Sequence, residues 1–236
     1  MTKCAEAGKV YLVGAGPGTV ADLTLRAHGL ISTADCVMHD DLVSDEVLAL
    51  VRAEAMVRNV GKRCGPKTVT QEDINGWMVE YARSGLSVVR LKSGDPLLFG
   101  RAGEEIAALD AAGVEYEMAP GISAGFAAAA RAGVALTGRV GSSRVIFATR
   151  HLAAGETNGL RGIGPEATLV LYMPGRDYGA IAGELASNGW AGETACVLAS
   201  ALGTAQERVV ECRLAGLTGM EVLPAPVVML FFAPHA

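Results

Sequence analysis

The sequence predicts an α/β protein of two α/β domains: an N-terminal domain over residues 9–119 with a mostly parallel sheet, and a C-terminal domain over 120–236 with a mixed sheet. Three observations predict it. Short β-rich runs alternate with helical patterns through the first half, as in βαβ units. After Pro120-Gly121 the texture changes to a small-residue stretch, Ile122 to Gly133, broken by one charge at Arg131. Beyond it, strand-like runs come late in the chain with short links, which favours mixed pairing.

In order, the N-terminal strands are expected at Lys9 to Gly14, Cys36 to His39, Met56 to Gly61, Ser87 to Lys92 and Val114 to Met118. Between the third and fourth lies the clearest helix. Thr70 with Asp73 resembles a capping box, Ile74, Trp77, Met78 and Tyr81 fall at i, i+3, i+4 and i+7, and Gly85 ends it. That stripe is core rather than ligand surface. In the second half, strands are expected at Val145 to Thr149, Thr168 to Met173, Thr194 to Ala199, Glu207 to Cys212 and Val227 to Phe232. A helix from Tyr178 to Ser187 is stopped by Asn188-Gly189, and Gly155 to Gly164 reads as an exposed loop.

Composition removes several function classes. Of 236 residues, 50% are hydrophobic and 19% charged, which excludes a disordered chain. No apolar run approaches the roughly 18 residues of a membrane span. The N-terminus enters a strand without a signal-peptide stretch, so a cytoplasmic protein is expected. The five cysteines (Cys4, Cys36, Cys64, Cys196, Cys212) are odd in number and form no C-x-x-C pair, so they read as reduced thiols. His28, His39, His151 and His235 lack ligand spacing, and no metal site is expected. A net charge of −5 gives nucleic-acid binding no electrostatic support.

The chemistry-bearing motifs sit just after strands. Val13-Gly14-Ala15-Gly16-Pro17-Gly18 follows the first, where open α/β sheets bind ligands at the carboxyl ends of their strands. A dinucleotide fingerprint would be G-x-G-x-x-G; here the third glycine arrives one position early and Pro17 occupies the loop. Asp40, about twenty residues on, stands where a ribose-binding acid would, which keeps a nucleotide-binding oxidoreductase as an alternative. Arg90-Leu91-Lys92-Ser93-Gly94-Asp95-Pro96-Leu97-Leu98-Phe99-Gly100-Arg101 again follows a strand and opens a helical pattern. Two glycine turns after parallel strands can face one crevice, although each alone is an ordinary turn.

The ordered set of Gly14-Ala15-Gly16-Pro17-Gly18, His39 to Ser44, Val60-Gly61-Lys62-Arg63, Val89 to Pro96 and Pro120-Gly121-Ile122-Ser123-Ala124 resembles the tetrapyrrole methylase family, from Val10 to about Val228. The resemblance implies S-adenosylmethionine in a cleft between two α/β domains, S-adenosylhomocysteine as its product, and a homodimer. It implies methylation of uroporphyrinogen III at C2 and C7 to precorrin-2, on the way to siroheme or cobalamin. The cofactor contacts it implies are Pro17, Ser93, Gly94, Asp95, Leu98, Ser123, Ala124, Met173, Ala201, Leu202 and Val227. Asp40 is the expected base, and Lys62 matches the position of a proton donor.

Such a transfer needs mainly alignment of two reactants. Acid/base help in removing the later proton is worth about 10² to 10⁴ in rate. Because the substrate is a polycarboxylate and the chain is acidic, local cations are required. Arg58, Lys62, Arg63 and Lys67 are one concentration, and Arg139, Arg144 and Arg150 a second. Four positions depart from the family pattern: His39 for tyrosine, Ser93 for glycine, Ala102 for glycine and Gly138 for histidine. A methylase acting on a later corrin precursor or another acceptor, or a binding-only module, are the other readings.

Overall fold

A computed structural model describes residues 4–61, 69–139, 142–150 and 159–233. The chain divides into two compact units, Met1–Ser123 and Ala124–Ala236.

The first unit is a five-stranded sheet in the order β3-β2-β4-β1-β5. Its strands are β1 (Val10–Gly14), β2 (Cys36–His39), β3 (Met56–Asn59), β4 (Val88–Lys92) and β5 (Tyr116–Ala119), and every pairing is parallel. Helices α1 (Leu25–Ile31), α2 (Asp45–Leu48), α3 (Gln71–Arg83) and α4 (Ala102–Ala112) connect them. Covered on both faces, β1, β2 and β4 are buried at every residue, and β1 runs apolar throughout where a half-exposed strand would alternate. The pleat divides them: Tyr11, Val13 and Val37 pack with Ala27, Leu30 and Ile31 of α1, while Val10, Leu12 and Met38 pack with Ile74 and Met78 of α3 and Leu109 of α4.

The helix ends follow side-chain chemistry. In α3 the capping box is complete: Thr70 Oγ1 accepts from Asp73 N and the Asp73 carboxylate accepts from Thr70 N. Gly113, at φ 65°, closes α4, and Val114 N donates to Leu109 O as part of that closure. The fifth strand therefore begins at Tyr116, two residues later than the apolar run from Val114 suggests. Similarly, β3 stops at Asn59, whose Oδ1 accepts from Gly61 N and turns the chain out of the sheet.

The second unit has the order β6-β7-β10-β8-β9. Its strands are β6 (Val145–Thr149), β7 (Thr168–Tyr172), β8 (Ala195–Ser200), β9 (Arg208–Arg213) and β10 (Val227–Phe231). Only β6 and β7 pair in parallel, which makes the sheet mixed. Helix α5 (Ala124–Ala132) covers one face, with Ala127 and Ala128 against Val170, Val197 and Leu230; the small-residue stretch is thus a helix whose alanines let it lie close to the sheet. On the other face, α6 (Tyr178–Ser187) packs Ile181 and Leu185 with Leu169, Leu198 and Phe231. Trp190 stands edge-on to Phe231 at 6.3 Å and donates from Nε1 to Ile163 O at 2.7 Å, so its one polar atom is satisfied.

Candidate functional site

In the first unit the expected site residues collect at the carboxyl ends of the strands. The connection leaving β1 passes β4 to reach β2, and the one leaving β4 passes β1 to reach β5, so the chain departs the neighbouring ends of β1 and β4 in opposite directions. A crevice opens at such a reversal. The two glycine turns meet there. Gly94 N donates to Gly16 O at 2.8 Å and Gly16 N to Gly94 O at 3.2 Å, while Ala15 N donates to Lys92 O at 2.7 Å. Gly121, beyond β5, completes the contact: a Cβ built on it would lie 2.2 Å from Gly94 O and 2.8 Å from Gly14 Cα. A Cβ on Gly14 would lie 2.5 Å from Gly121 N. Three backbones touch where no side chain fits.

Asp95 fixes this arrangement. Its Oδ1 accepts from Leu97 N at 2.9 Å, an Asx turn, and its Oδ2 from Gly121 N at 3.0 Å, so one carboxylate joins the turn after β4 to the turn after β5. Leu98 N donates to Asp95 O at 3.3 Å in the same turn. Pro17 and Ser93 flank the paired glycines, and Ser123 ends the stretch after β5, buried.

Asp40 follows β2 at this same end of the sheet and its side chain is 34% exposed. Its Oδ1 accepts from Arg90 Nη2 at 2.5 Å. His39 is buried, and its Nδ1 lies 3.1 Å from the Asp40 carbonyl oxygen, a contact that puts the proton on Nδ1. Lys62, with Arg63 and Lys67, lies outside the described residues. Arg58 stacks its guanidinium 3.7 Å from the Trp77 ring centre and donates to Tyr81 Oη. That commits it to the face of α3, contrary to the expectation of a free cation for a carboxylate. Arg150 is held by Glu184 at 2.5 Å, whereas Arg139 and Arg144 are exposed.

In the second unit the remaining residues gather at one sheet end. Tyr172 pairs with Val228 and Ser200 with Val227, so Met173 after β7, Ala201-Leu202 after β8 and Val227 at the start of β10 lie side by side. Ala201 N donates to Pro226 O at 2.9 Å. Ala124 opens α5 at this end, where Gly125 N donates to Tyr172 Oη at 3.1 Å. Met173 (φ 48°) and Ala201 (φ 49°) both adopt the left-handed conformation that non-glycine residues avoid, a pattern concentrated at functional sites. A cavity of about 820 Å³ lined by Thr137, Thr194, Glu211, Arg213 and Phe232 lies at the opposite end of this sheet.

A model of the family described as Tetrapyrrole (Corrin/Porphyrin) Methylases matches residues 9–218. The chain belongs to this family. Among the tetrapyrrole methylases, it is 36% identical to the uroporphyrin-III C-methyltransferase of Thermus thermophilus, solved with S-adenosylhomocysteine. That likeness has a TM-score of 0.81 and covers 95% of this chain and 97% of that one. It resembles a cobalt precorrin-4 methyltransferase at 26% identity and a TM-score of 0.82, over 95% of both chains. It is 42% identical to the Siroheme synthase of Nitrosococcus oceani over 95% of its own length and 49% of that protein's. The chain therefore spans about half the length of the curated relatives it matches.

Four charged groups near the methylase's strand ends have no role that a local sequence pattern predicts. Arg101, at φ 55°, precedes α4 and forms a two-pronged ion pair with Glu104, both contacts at 2.7 Å. Lys92 and Glu105 are buried, with Lys92 Nζ donating to Glu105 Oε1 at 2.9 Å. Burial, and then the charge of Arg90, hold Lys92 below the usual ammonium range. The signal was present in the alternation of β4: Val88, Arg90 and Lys92 share one face of a strand that is wholly buried.

Proposed function

We propose that this tetrapyrrole methylase transfers methyl groups from S-adenosylmethionine to C2 and C7 of uroporphyrinogen III, giving precorrin-2 for siroheme formation. The observation that carries this reading is the junction of the Gly14, Gly94 and Gly121 backbones at the strand reversal. It stands in a chain that matches a uroporphyrin-III C-methyltransferase along nearly its whole length. The site fits a nucleoside-bearing ligand, because the turns meet at the strand reversal, where open α/β sheets form a ligand-binding crevice.

The residues proposed to hold the cofactor are Pro17, Ser93, Gly94, Asp95, Leu98 and Ser123 in the first unit. Ala124, Met173, Ala201, Leu202 and Val227 are those proposed in the second. When bound, S-adenosylmethionine supplies a methyl group on a sulfonium, open to attack by an electron-rich pyrrole carbon. Asp95 acts by keeping two turns in register through its bonds to Leu97 N and Gly121 N. Asp40 accepts the proton that the methylated ring must lose, its carboxylate paired through Oδ1 with the guanidinium of Arg90 beside it. Lys62 serves as a proton donor, and Arg139 and Arg144 attract substrate carboxylates.

The protein works in this reading as a homodimer in the cytoplasm. Large exposed apolar side chains such as Leu25 (84% exposed) and Phe126 (54%) support association. The free thiols Cys4, Cys36, Cys196 and Cys212 suit a reducing compartment. Likeness to a cobalt precorrin-4 methyltransferase, together with Ser93 and Gly138, keeps a later corrin precursor as the second reading. Incubation with labelled S-adenosylmethionine and enzymically generated uroporphyrinogen III tests both readings. A doubly methylated product is expected. No transfer to uroporphyrinogen III, with transfer to a later precursor in a panel, selects the second.

A further inference from the structure

Arg90 and Lys92 stand at i and i+2 on the face of β4 that packs among Met38, Ile74 and Ala102, an apolar setting for two cations. One carboxylate answers both. Glu105, 0% exposed, accepts through Oε1 from Arg90 Nε and Lys92 Nζ, each at 2.9 Å, and from Gln71 Nε2 at 3.5 Å. Its Oε2 has no hydrogen-bond partner. The rest of the Arg90 fork is also taken: Nη1 donates to Leu91 O at 3.2 Å and Met38 O at 3.5 Å, and Nη2 to Asp40 Oδ1 at 2.5 Å. A planar guanidinium bonded on all three nitrogens has no rotational freedom left. It spans from a carboxylate wholly inside the unit to one at the strand ends.

Packing alone does not call for such a group. A buried ion pair is often no more stabilising than apolar side chains of the same volume, so leucine or methionine would join β4 to α4 as well. What apolar residues cannot do is hold a charged strand-end carboxylate at one fixed place. The floor is shared with the second glycine turn: a Cβ on Gly100 would lie 3.1 Å from Lys92 Cε and 2.6 Å from Pro96 O, so that turn is laid directly on the lysine stem.

We propose that Arg90 is the positioning residue for Asp40, and that Glu105, balanced by Lys92, is the anchor that holds Arg90 in place. The proposal rests on the reading of Asp40 as proton acceptor. Arg90 pins Oδ1, and no hydrogen bond to Oδ2 is present among the described residues, which leaves that oxygen for the proton. The role is one of alignment, where displacement of about 1 Å costs on the order of 10²-fold in rate.

The test is a double-mutant cycle on methyl transfer, with kcat, KM for uroporphyrinogen III and S-adenosylhomocysteine affinity measured for Arg90→Lys, Asp40→Asn and the double variant. Lysine keeps the charge but, as a compact ammonium, cannot bridge Glu105 and Asp40 together. Arg90→Lys is expected to lower kcat by at least about tenfold with S-adenosylhomocysteine affinity unchanged, and to lower it no further once Asp40 is asparagine. Wild-type kcat in Arg90→Lys beside an inactive Asp40→Asn would overturn the positioning role and leave Asp40 as base. Multiplying losses in the double variant would overturn it too, since Arg90 would then act independently. Full activity in Asp40→Asn would remove the base itself. If Arg90→Lys does not fold, Glu105→Gln, which keeps the shape of the anchor, carries the same cycle with the same expected kcat loss.

Discussion

Replacing Gly121 with alanine adds one methyl group at the point where three turns meet. The added Cβ would lie 2.2 Å from Gly94 O, 2.8 Å from Gly14 Cα and 2.9 Å from Gly14 C. Ordinary carbon contacts lie near 3.5 Å or above, so the turns must part by roughly 1 Å. All three obstructing atoms are backbone, and no rotamer change relieves them. Gly121 does not occupy the left-handed region, so the penalty comes from contact rather than from conformation. Overpacking of this kind costs about 1–3 kcal/mol, and for a chain of this length that lowers Tm by about 2–4 °C per kcal/mol. S-adenosylhomocysteine affinity, measured by titration calorimetry, should fall by about tenfold to a hundredfold, or about 1.4–2.8 kcal/mol. Gly76→Ala is the matched control. It sits in α3 with nothing within 4 Å of the added Cβ, and should raise Tm slightly and leave binding alone, because alanine is the better helix former. Wild-type Tm and affinity in Gly121→Ala would refute the argument that these backbones form the site's fixed base.

Arg58→Met should lower Tm by the loss of about 1 kcal/mol of cation–π stacking on Trp77, with KM for the tetrapyrrole unchanged. A several-fold rise in KM at unchanged Tm would return Arg58 to the substrate. Asp35 accepts from Ser87 Oγ at 2.6 Å and Ser87 N at 2.8 Å and pairs with Arg52, and these contacts hold its carboxyl below the usual carboxylate range. Its stabilising contribution is therefore present above the unfolded value of about 4 and is lost as pH falls through the lower folded value. The Tm gap between the wild type and Asp35→Asn should be open at neutral pH and close below about pH 4; a gap independent of pH would disprove the linkage. Burial pushes the Cys36 thiol up to about 11 and raises Cys196 as well, whereas Cys4 is exposed. Maleimide labelling at neutral pH, read by peptide mapping, should mark Cys4 well before Cys36 and Cys196, since the thiolate is the reactive form. Equal rates would show that the β2 and β8 sites open readily.

Much of the fold was legible because it rests on local chemistry. The capping box of Thr70 and Asp73, the stripe Ile74–Trp77–Met78–Tyr81 and the stop at Gly85 each act within a few residues, and the helix Gln71–Arg83 follows from them. The β-rich runs at Cys36–His39 and Val145–Thr149 coincide with strands for the same reason. Ends were less legible where neighbours decide them. Val114 belongs to the closure of α4 because its N–H reaches Leu109 O, and β8 and β9 each sit one residue later than their apolar runs.

At the strand ends, the glycine turns announced themselves, but that Gly121 touches both Gly14 and Gly94 depends on a strand order no local pattern encodes. The link from Glu105 through Arg90 to Asp40 crosses α4, β4 and β2, and its only local trace is two cations on one face of a buried strand. Arg58 is expected among the cations for substrate carboxylates because nothing in its vicinity along the chain indicates that it stacks on Trp77. The left-handed backbones of Met173 and Ala201 have no sequence signal, since methionine and alanine carry no preference for that conformation.

The paired bonds between Gly16 and Gly94 form a single antiparallel rung beyond the end of an all-parallel sheet, and the Asp95 carboxylate adds a third tie to Gly121. Three loops so joined cannot fray one at a time. In native-state hydrogen exchange, the amide protons of Ala15, Gly16, Gly94 and Gly121 should therefore exchange through one shared opening event, with a common free energy close to that of unfolding the β1–β4–β5 ends together. Surface turns ordinarily occupy the least protected end of a protein's stability range; these belong with the interior strands they follow, and motions that admit and release a ligand must come from other segments.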